Sequence, residues 1–371
     1  MKRIAILTSS RADYGIYLPL LKALKDDPFF ELRIIAFGTH LSPFHGYTIN
    51  QIVDDGFEVS FQIESMLTGD SPNAISTAMA LTSLKFADFW KDYQQDFDLV
   101  FCLGDRYEMF AAVSAGIPFN ISFAHLHGGE KTLGAIDNIF RHAISLASKY
   151  HFVSCKEHGE RVAELIESNQ NIFEIGALSL DNINSLTLLT KEEFNSKFAV
   201  DLNQPTILVT VHPETVSYEK NEEFAEEIAE TLLSLKNYQV LITLPNADTA
   251  GNMIRKKFVK LQAESNNRIH CFENLGSQGY FSAMKYCSFL LGNTSSGIIE
   301  AASFKKYVIN VGNRQMGRKQ SLNCFNVSFN KELILQSVQK IINSPLYNGE
   351  NIYYKGNAAE NISSILKNIL V

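Results

Sequence analysis

A chain of 371 residues with 46% hydrophobic and 20% charged residues is too long for one typical core and has the make-up of a soluble globular protein of two domains. The formal net charge of −7 argues against nucleic acid or an anionic membrane as the main partner, but it leaves room for a phosphorylated ligand held at a local positive site. Five scattered cysteines (Cys102, Cys155, Cys271, Cys287, Cys324) without metal-ligand spacing read as reduced thiols of a cytoplasmic protein, the first residues lack the apolar length of a signal peptide, and no run reaches the length of a membrane span.

Ile4 to Leu7 is a short apolar run, as expected of a buried parallel strand. It ends in Thr8-Ser9-Ser10-Arg11 and is followed by a helical pattern through Leu18, Leu20, Leu21 and Leu24. In an open α/β sheet such turns lie at the carboxyl edge, where ligands bind, so Arg11 is a candidate phosphate contact. As an alternative, it is a solvent-facing arginine. The next strand, 32–37, ends at Gly38-Thr39-His40. Residues 41–75 carry mixed signals and read as a loop around His45-Gly46-Tyr47; 76–93 read as a helix. Strand 99–103 runs into Gly104-Asp105-Arg106-Tyr107-Glu108, and strand 121–126 into His127-Gly128-Gly129-Glu130. A helix starts near Asp137. Asp105, Glu130 and Asp137 are thereby expected at one sheet edge.

Residues 178–204 are polar and irregular, the expected inter-domain connection. A second alternation follows: strand 206–211, helix 220–236, strand 238–244, helix 250–264, strand 268–272, helix 277–286, strand 288–291, helix 296–304 and strand 307–311. Its strand ends carry His212-Pro213-Glu214, Pro245-Asn246-Ala247-Asp248 and Gly292-Asn293-Thr294-Ser295-Ser296-Gly297. In the last of these, hydroxyl N-caps, free N–H groups and the helix dipole favour an anion, and Gly297 permits close approach of a ligand to the backbone. Glu300 is placed to accept hydrogen bonds from a sugar diol. The bland reading is an ordinary capped helix. Two helices, 330–343 and 357–370, finish the chain.

The polar turn after the first strand lacks the Gly-x-Gly-x-x-Gly fingerprint, and there is no Walker motif or Gly-x-Ser-x-Gly elbow. His125 and His127 near Glu130 are a poor match to a zinc site. Acid–base chemistry remains, with Asp105, Glu130 and Asp137 from one half and His212 from the other. Taken singly, Asp137 could be an N-cap, Glu130 a partner of Lys131 or Arg141, Glu108 a structural partner and His212 a turn histidine. Their joint placement at strand ends favours function.

Ser9-Ser10-Arg11-Ala12-Asp13-Tyr14-Gly15, Gly104-Asp105-Arg106-Tyr107-Glu108, the stretch His125 to Leu133, His212-Pro213-Glu214-Thr215, Asn246-Ala247-Asp248-Thr249, the stretch Gly292 to Glu300 and Arg314-Gln315-Met316-Gly317-Arg318 together resemble the hydrolysing UDP-N-acetylglucosamine 2-epimerases, in family order across nearly the whole chain. The resemblance implies an α/β fold of two Rossmann-like domains facing across a cleft, the glycosyltransferase B arrangement. The expected domains are 1–180, with the acid–base carboxylates; 181–355, binding UDP; and a terminal helix, 356–371, packing back towards the first. It further implies elimination of UDP from UDP-GlcNAc to a 2-acetamidoglucal, then hydration to N-acetylmannosamine, which feeds sialic-type acid synthesis. No cofactor and no metal are expected, and the partner is the UDP-sugar, with a homodimer or tetramer as the assembly.

By the same resemblance Asp105, Glu130 and Asp137 are the acid–base groups, and His212 assists the leaving UDP. Ser295, Ser296 and Gly297 bind diphosphate, Glu300 binds the ribose, and Arg11 and Arg314 meet phosphate charge. His40, His127, Asn246 and Asp248 contact the substrate. Some relatives carry a carboxylate where this chain has His127, so either His127 or Glu130 takes that role. UDP-N,N′-diacetylbacillosamine is the alternative substrate. A UDP-sugar glycosyltransferase and a non-catalytic UDP-sugar sensor are the rival functions.

Overall fold

The apolar runs become buried parallel strands, each ending in a polar turn, in a computed structural model that describes residues 1–69, 71–245 and 251–370. The chain divides into two compact units. The first comprises Met1–Glu130, Asp137–Asn182 and Tyr353–Val371, and the second Lys131–Ile136 and Ile183–Ile352. No described helix is long and apolar enough to cross a membrane.

In the first unit the strands are β1 (Lys2–Thr8), β2 (Phe30–Phe37), β3 (Val59–Ile63), β4 (Leu99–Leu103), β5 (Phe123–Leu126), β6 (Tyr150–Val153) and β7 (Ile172–Glu174). They form one sheet in the order β3-β2-β1-β4-β5-β6-β7, every pairing parallel. Alternate residues of β1 feed opposite faces, as the two-residue period of a strand requires. Ile4 and Ile6 pack with Tyr14, Leu20 and Leu21 of the helix Arg11–Asp26 and with Ile362 and Leu366 of the terminal helix Ala358–Ile369. Ala5 and Leu7 pack with Phe86, Trp90 and Met109. Burial of Ile362 and Leu366, worth roughly 1.5–3 kcal/mol each, ties the end of the chain to the first unit.

In the second unit the strands are β8 (Thr206–Thr210), β9 (Gln239–Thr243), β10 (Ile269–Phe272), β11 (Phe289–Gly292), β12 (Val308–Val311) and β13 (Cys324–Val327), in the order β10-β9-β8-β11-β12-β13, again parallel. Val209, Ile242 and Leu291 meet Ile228, Leu232 and Phe258 on one face. Leu208, Leu241 and Leu290 meet Phe281 and Met284 on the other.

Three details differ from the sequence reading. β3 forms within the stretch of mixed signals and β13 in a stretch to which it assigns no element; both are edge strands with half-exposed side chains, so neither shows a continuous apolar run. The irregular stretch 178–204 contains the helix Lys191–Phe198, closed by a Thr190–Glu193 capping box. The helix expected over 296–304 is only Ser295–Ile299. Beyond it the backbone continues in turns, with Ala301 N–H donating to Ser296 O and Lys306 N–H to Ala301 O.

Chain direction across each sheet reverses once, between β1 and β4 and between β8 and β11. At such switch points the connections leave on opposite faces and open a crevice at the carboxyl ends of the strands. The turns after β1 and β4 carry Ser9 to Asp13 and Asp105; those after β8 and β11 carry His212 and Asn293 to Ser296.

Candidate functional site

In the first unit, Asp13 organises the turn after β1. Its carboxylate accepts from Ser9 N–H and Ser10 N–H, both at 2.8 Å, and from the Thr8 hydroxyl at 3.0 Å. Ser10 and Asp13 make a capping box, a Ser-x-x-Asp signal that is legible in the sequence but absent from the reading above. Arg11 is the first residue of that helix and is half-buried. The His40 ring is buried, with Nε2 bonded to the Thr8 hydroxyl and Nδ1 to the Thr48 hydroxyl, each at 2.9 Å. Both ring nitrogens are thus engaged internally, and burial pushes the imidazole down from its ordinary value.

Asp105 follows Gly104, whose carbonyl is held by His125 Nε2 at 2.8 Å. A carbonyl can only accept, so Nε2 carries the proton, and Nδ1 accepts from the Ser145 hydroxyl at 2.9 Å. Full burial pushes His125 down to about 3, which keeps it neutral. The Asp105 carboxylate bonds Arg141 Nη2, while Arg141 Nη1 donates to Glu130 O at 2.9 Å. One buried guanidinium therefore spans two of the carboxylate-bearing turns. Asp137 opens the helix Asp137–Leu146 that carries Arg141. Glu108 is fully buried and pairs with Arg106, Oε1 to Nη2 at 2.9 Å and Oε2 to Nε at 3.2 Å, the structural role expected of it.

The turn after β5 is held tightly. His127 N–H donates to Phe152 O at 3.1 Å and extends the β5–β6 ladder, with His127 at φ 65. A left-handed non-glycine residue costs about 1 kcal/mol and marks a backbone over-determined by its surroundings. Gly129 has φ 75, and a side chain there would meet His158 O at 2.1 Å. The Glu130 carboxylate accepts from His127 Nδ1 at 2.8 Å and from the Ser154 hydroxyl at 3.2 Å. The alternative to an acid–base role for Glu130 is a pairing with Lys131 or Arg141; in the structure Arg141 Nη1 takes its carbonyl, and the carboxylate takes His127.

In the second unit, Asn293 clips the His212 backbone at both ends. Its Oδ1 accepts from His212 N–H at 2.7 Å and its Nδ2 donates to His212 O at 2.9 Å. The Asn293 carbonyl receives Gln315 Nε2 at 2.8 Å and Arg314 Nη1 at 3.4 Å. Buried Glu214 accepts the backbone N–H of Arg314 at 3.0 Å and also that of Asn313. Burial pushes the Glu214 carboxyl up from its ordinary value, although the two amides pull the other way. Thr294 caps the short helix by accepting from Ser296 N–H at 3.4 Å, Ser295 and Ser296 are half-buried, and Glu300 is buried at the helix end. The Tyr280 hydroxyl, pushed up to about 12 by burial, lies beside the Ser296 and Thr210 hydroxyls.

The sequence reading gives Gly297 the role of admitting a ligand. In the structure its missing side chain also makes room for the sheet, because a Cβ there would stand 3.0 Å from Val308 Cγ1. Asn246 and Asp248 lie outside the described residues. The segment Lys131–Ile136 groups with this unit: Leu133 N–H donates to Met316 O at 3.1 Å and Ile136 N–H to the Thr215 hydroxyl at 2.9 Å.

Residues 22–367 match the model of the UDP-N-acetylglucosamine 2-epimerase family. The chain belongs to this family. Among relatives of the epimerase family, it is 33% identical to the UDP-N,N′-diacetylbacillosamine 2-epimerase (hydrolyzing) of Legionella pneumophila, over 100% of this chain and 96% of that one. It is 34% identical to polysialic acid biosynthesis protein P7 of Escherichia coli, over 100% and 95%. The crystal structure of the UDP-GlcNAc 2-epimerase from Neisseria meningitidis bound to UDP-GlcNAc superposes with a TM-score of 0.81 at 18% identity, covering 99% of this chain and 100% of that one. The expected fold of two Rossmann-like domains, each built on a parallel sheet, is thus the fold observed.

Asp13, Arg141, Ser154, Glu214, Asn293 and Gln315 are supporting residues to which the sequence assigns no role in the site, beyond Arg141 as an alternative partner of Glu130. Apart from the capping box, they carry no local signal, because each acts on a residue from another turn.

Proposed function

We propose that the protein is a hydrolysing 2-epimerase of a UDP-linked 2-acetamido sugar, acting in the cytoplasm as a homo-oligomer. UDP leaves by elimination across C1–C2, and water then adds to the resulting 2-acetamidoglucal to release the free 2-epimer. Membership of the epimerase family carries this reading, and the placement of the described motifs at the carboxyl ends of parallel strands supports it.

Asp105, Asp137 and the His127–Glu130 pair serve proton transfer. His212 assists the departing diphosphate, which Ser295, Ser296 and Gly297 bind. Glu300 holds the ribose hydroxyls, and Arg11 and Arg314 offset phosphate charge. The physical requirement is common to any such elimination: a base for a weakly acidic C–H, and donors prearranged where negative charge accumulates on the leaving group.

Two substrates fit. UDP-GlcNAc is the first; its product, N-acetylmannosamine, feeds sialic-type acid synthesis. The identity of 33% to the Legionella enzyme favours a second, UDP-N,N′-diacetylbacillosamine, on the way to a legionaminic-type acid. Incubation with each sugar nucleotide, followed by proton NMR in deuterated water, separates them. Free 2-epimeric sugar, UDP and deuterium at C2 are expected with the true substrate. An intact UDP-sugar equilibrium, or product carrying only protium at C2, would refute hydrolytic epimerisation by C2 deprotonation. A glycosyltransferase would require an added acceptor before releasing UDP.

A further inference from the structure

We infer that His127, rather than the Glu130 carboxylate, is the group of this pair that takes the proton from the substrate, and that Glu130 is its positioning residue; this rests on the epimerase reading above. Glu130 is 1% exposed, and its Oε1 already receives His127 Nδ1 at 2.8 Å and the Ser154 hydroxyl at 3.2 Å. An ionised carboxylate can only accept, so Nδ1 bears the proton. A neutral imidazole has one N–H, and Nε2 therefore presents a lone pair. That atom is buried and has no hydrogen-bond partner among the described residues. Buried polar atoms are nearly always paired, and an orphan at a strand end beside other titratable groups marks an atom kept for a ligand.

The contrast with His125 is direct. Its two ring nitrogens are both consumed, by Gly104 O and the Ser145 hydroxyl, so it can position Asp105 but cannot accept a proton from a ligand. His127 has one nitrogen held and one not. The hold is reinforced from behind. His158 Nδ1 lies 2.9 Å from the Ser154 hydroxyl, which donates to Glu130, and Arg141 fixes the Glu130 carbonyl. The backbone beneath His127 is fixed by Phe152 O and by Gly129 against His158. Among the described residues, the Glu130 carboxylate bonds the imidazole, the Ser154 hydroxyl and the Arg141 guanidinium hold Glu130, and the neutral His125 lies close enough to interact with it.

In the step assigned to it, Nε2 takes the C2 proton. The C2–H electron pair becomes the second bond of C1=C2, and the C1–O pair leaves with the diphosphate. The imidazolium so formed is stabilised by Glu130. Water then bonds through oxygen to C1, and C2 receives a proton on the opposite face, because the configuration there inverts. That delivery belongs to a different group, and the proton held on Nε2 returns to solvent.

Long-range nitrogen-15 NMR of the histidine side chains tests the first half without any substrate. The wild-type protein should show His127 as the Nδ1–H tautomer, identified by its loss in His127→Gln, and Glu130→Gln should convert it to Nε2–H, since the amide can donate to Nδ1. Kinetics test the second half. His127→Gln should lower kcat by about 10²–10⁴-fold with UDP affinity unchanged, and Glu130→Gln should lower it through the tautomer change. An Nε2–H tautomer in the wild type, or His127→Gln turning over like the wild type, overturns this inference and leaves the epimerase reading standing. A wild-type protein inert towards both sugar nucleotides overturns that reading itself.

Discussion

Removing the side chain of Asn293 should loosen His212 without touching it. Asn293 is completely buried and bonds both the N–H and the carbonyl of His212, a residue 81 positions away. Asn293→Ala leaves both backbone groups without that partner. Each lost bond to a buried group costs about 1–3 kcal/mol, so about 2–6 kcal/mol in total. That corresponds to a roughly 30- to 20,000-fold rise in the opening equilibrium of the turn. A single melting temperature is a poor readout for a chain of two compact units. Hydrogen-exchange mass spectrometry is better, because it reads the peptide around His212 directly. That peptide should exchange faster by such a factor, with strands of the first unit unchanged, and kcat should fall along with it. Asn293→Asp keeps the acceptor for His212 N–H but sets a carboxylate oxygen against the His212 carbonyl, so it should lose at least half the protection. Exchange within threefold of wild type in Asn293→Ala, together with unaltered turnover, would refute the clip as the element that sets His212.

Asp105→Asn should reduce kcat by about 10²–10⁴-fold while UDP binding, measured by calorimetry, stays within about threefold; loss of UDP binding would contradict the assignment of nucleotide and sugar chemistry to different units. Gly129→Ala should destabilise the first unit by about 3 kcal/mol or more, read by urea unfolding of the single tryptophan, Trp90, because the new Cβ would meet His158 O at 2.1 Å and φ is 75. Acid should weaken the same unit. Burial holds His125 at about 3 and His151 at about 4, below the ordinary 6.5, so the unfolded chain binds more protons between those values and 6.5. Stability should fall as pH drops below 6.5, by about 1.4 kcal/mol per pH unit for each histidine, and flatten first for His151. In His151→Gln the slope measured by unfolding between pH 4.5 and 6 should drop by about half, and an unchanged slope would rule out buried neutral His151.

The central strands, the polar turns at their ends and the motif residues in those turns were legible from the sequence alone. A strand buried on both faces must be a continuous apolar run, as in Leu99 to Leu103, and a ligand-binding turn must follow it directly. The edge strands β3 and β13 were not legible, since one exposed face dilutes the apolar signal. Folding alone decided how each motif side chain is used. Whether Glu130 stands against Arg141 or His127, whether His40 has a nitrogen to spare, and what holds His212 all depend on partners brought together across the carboxyl edge of a sheet. Sequence spacing carries no information about such encounters. They arise where neighbouring strands end, and which strands are neighbours is a property of the assembled sheet.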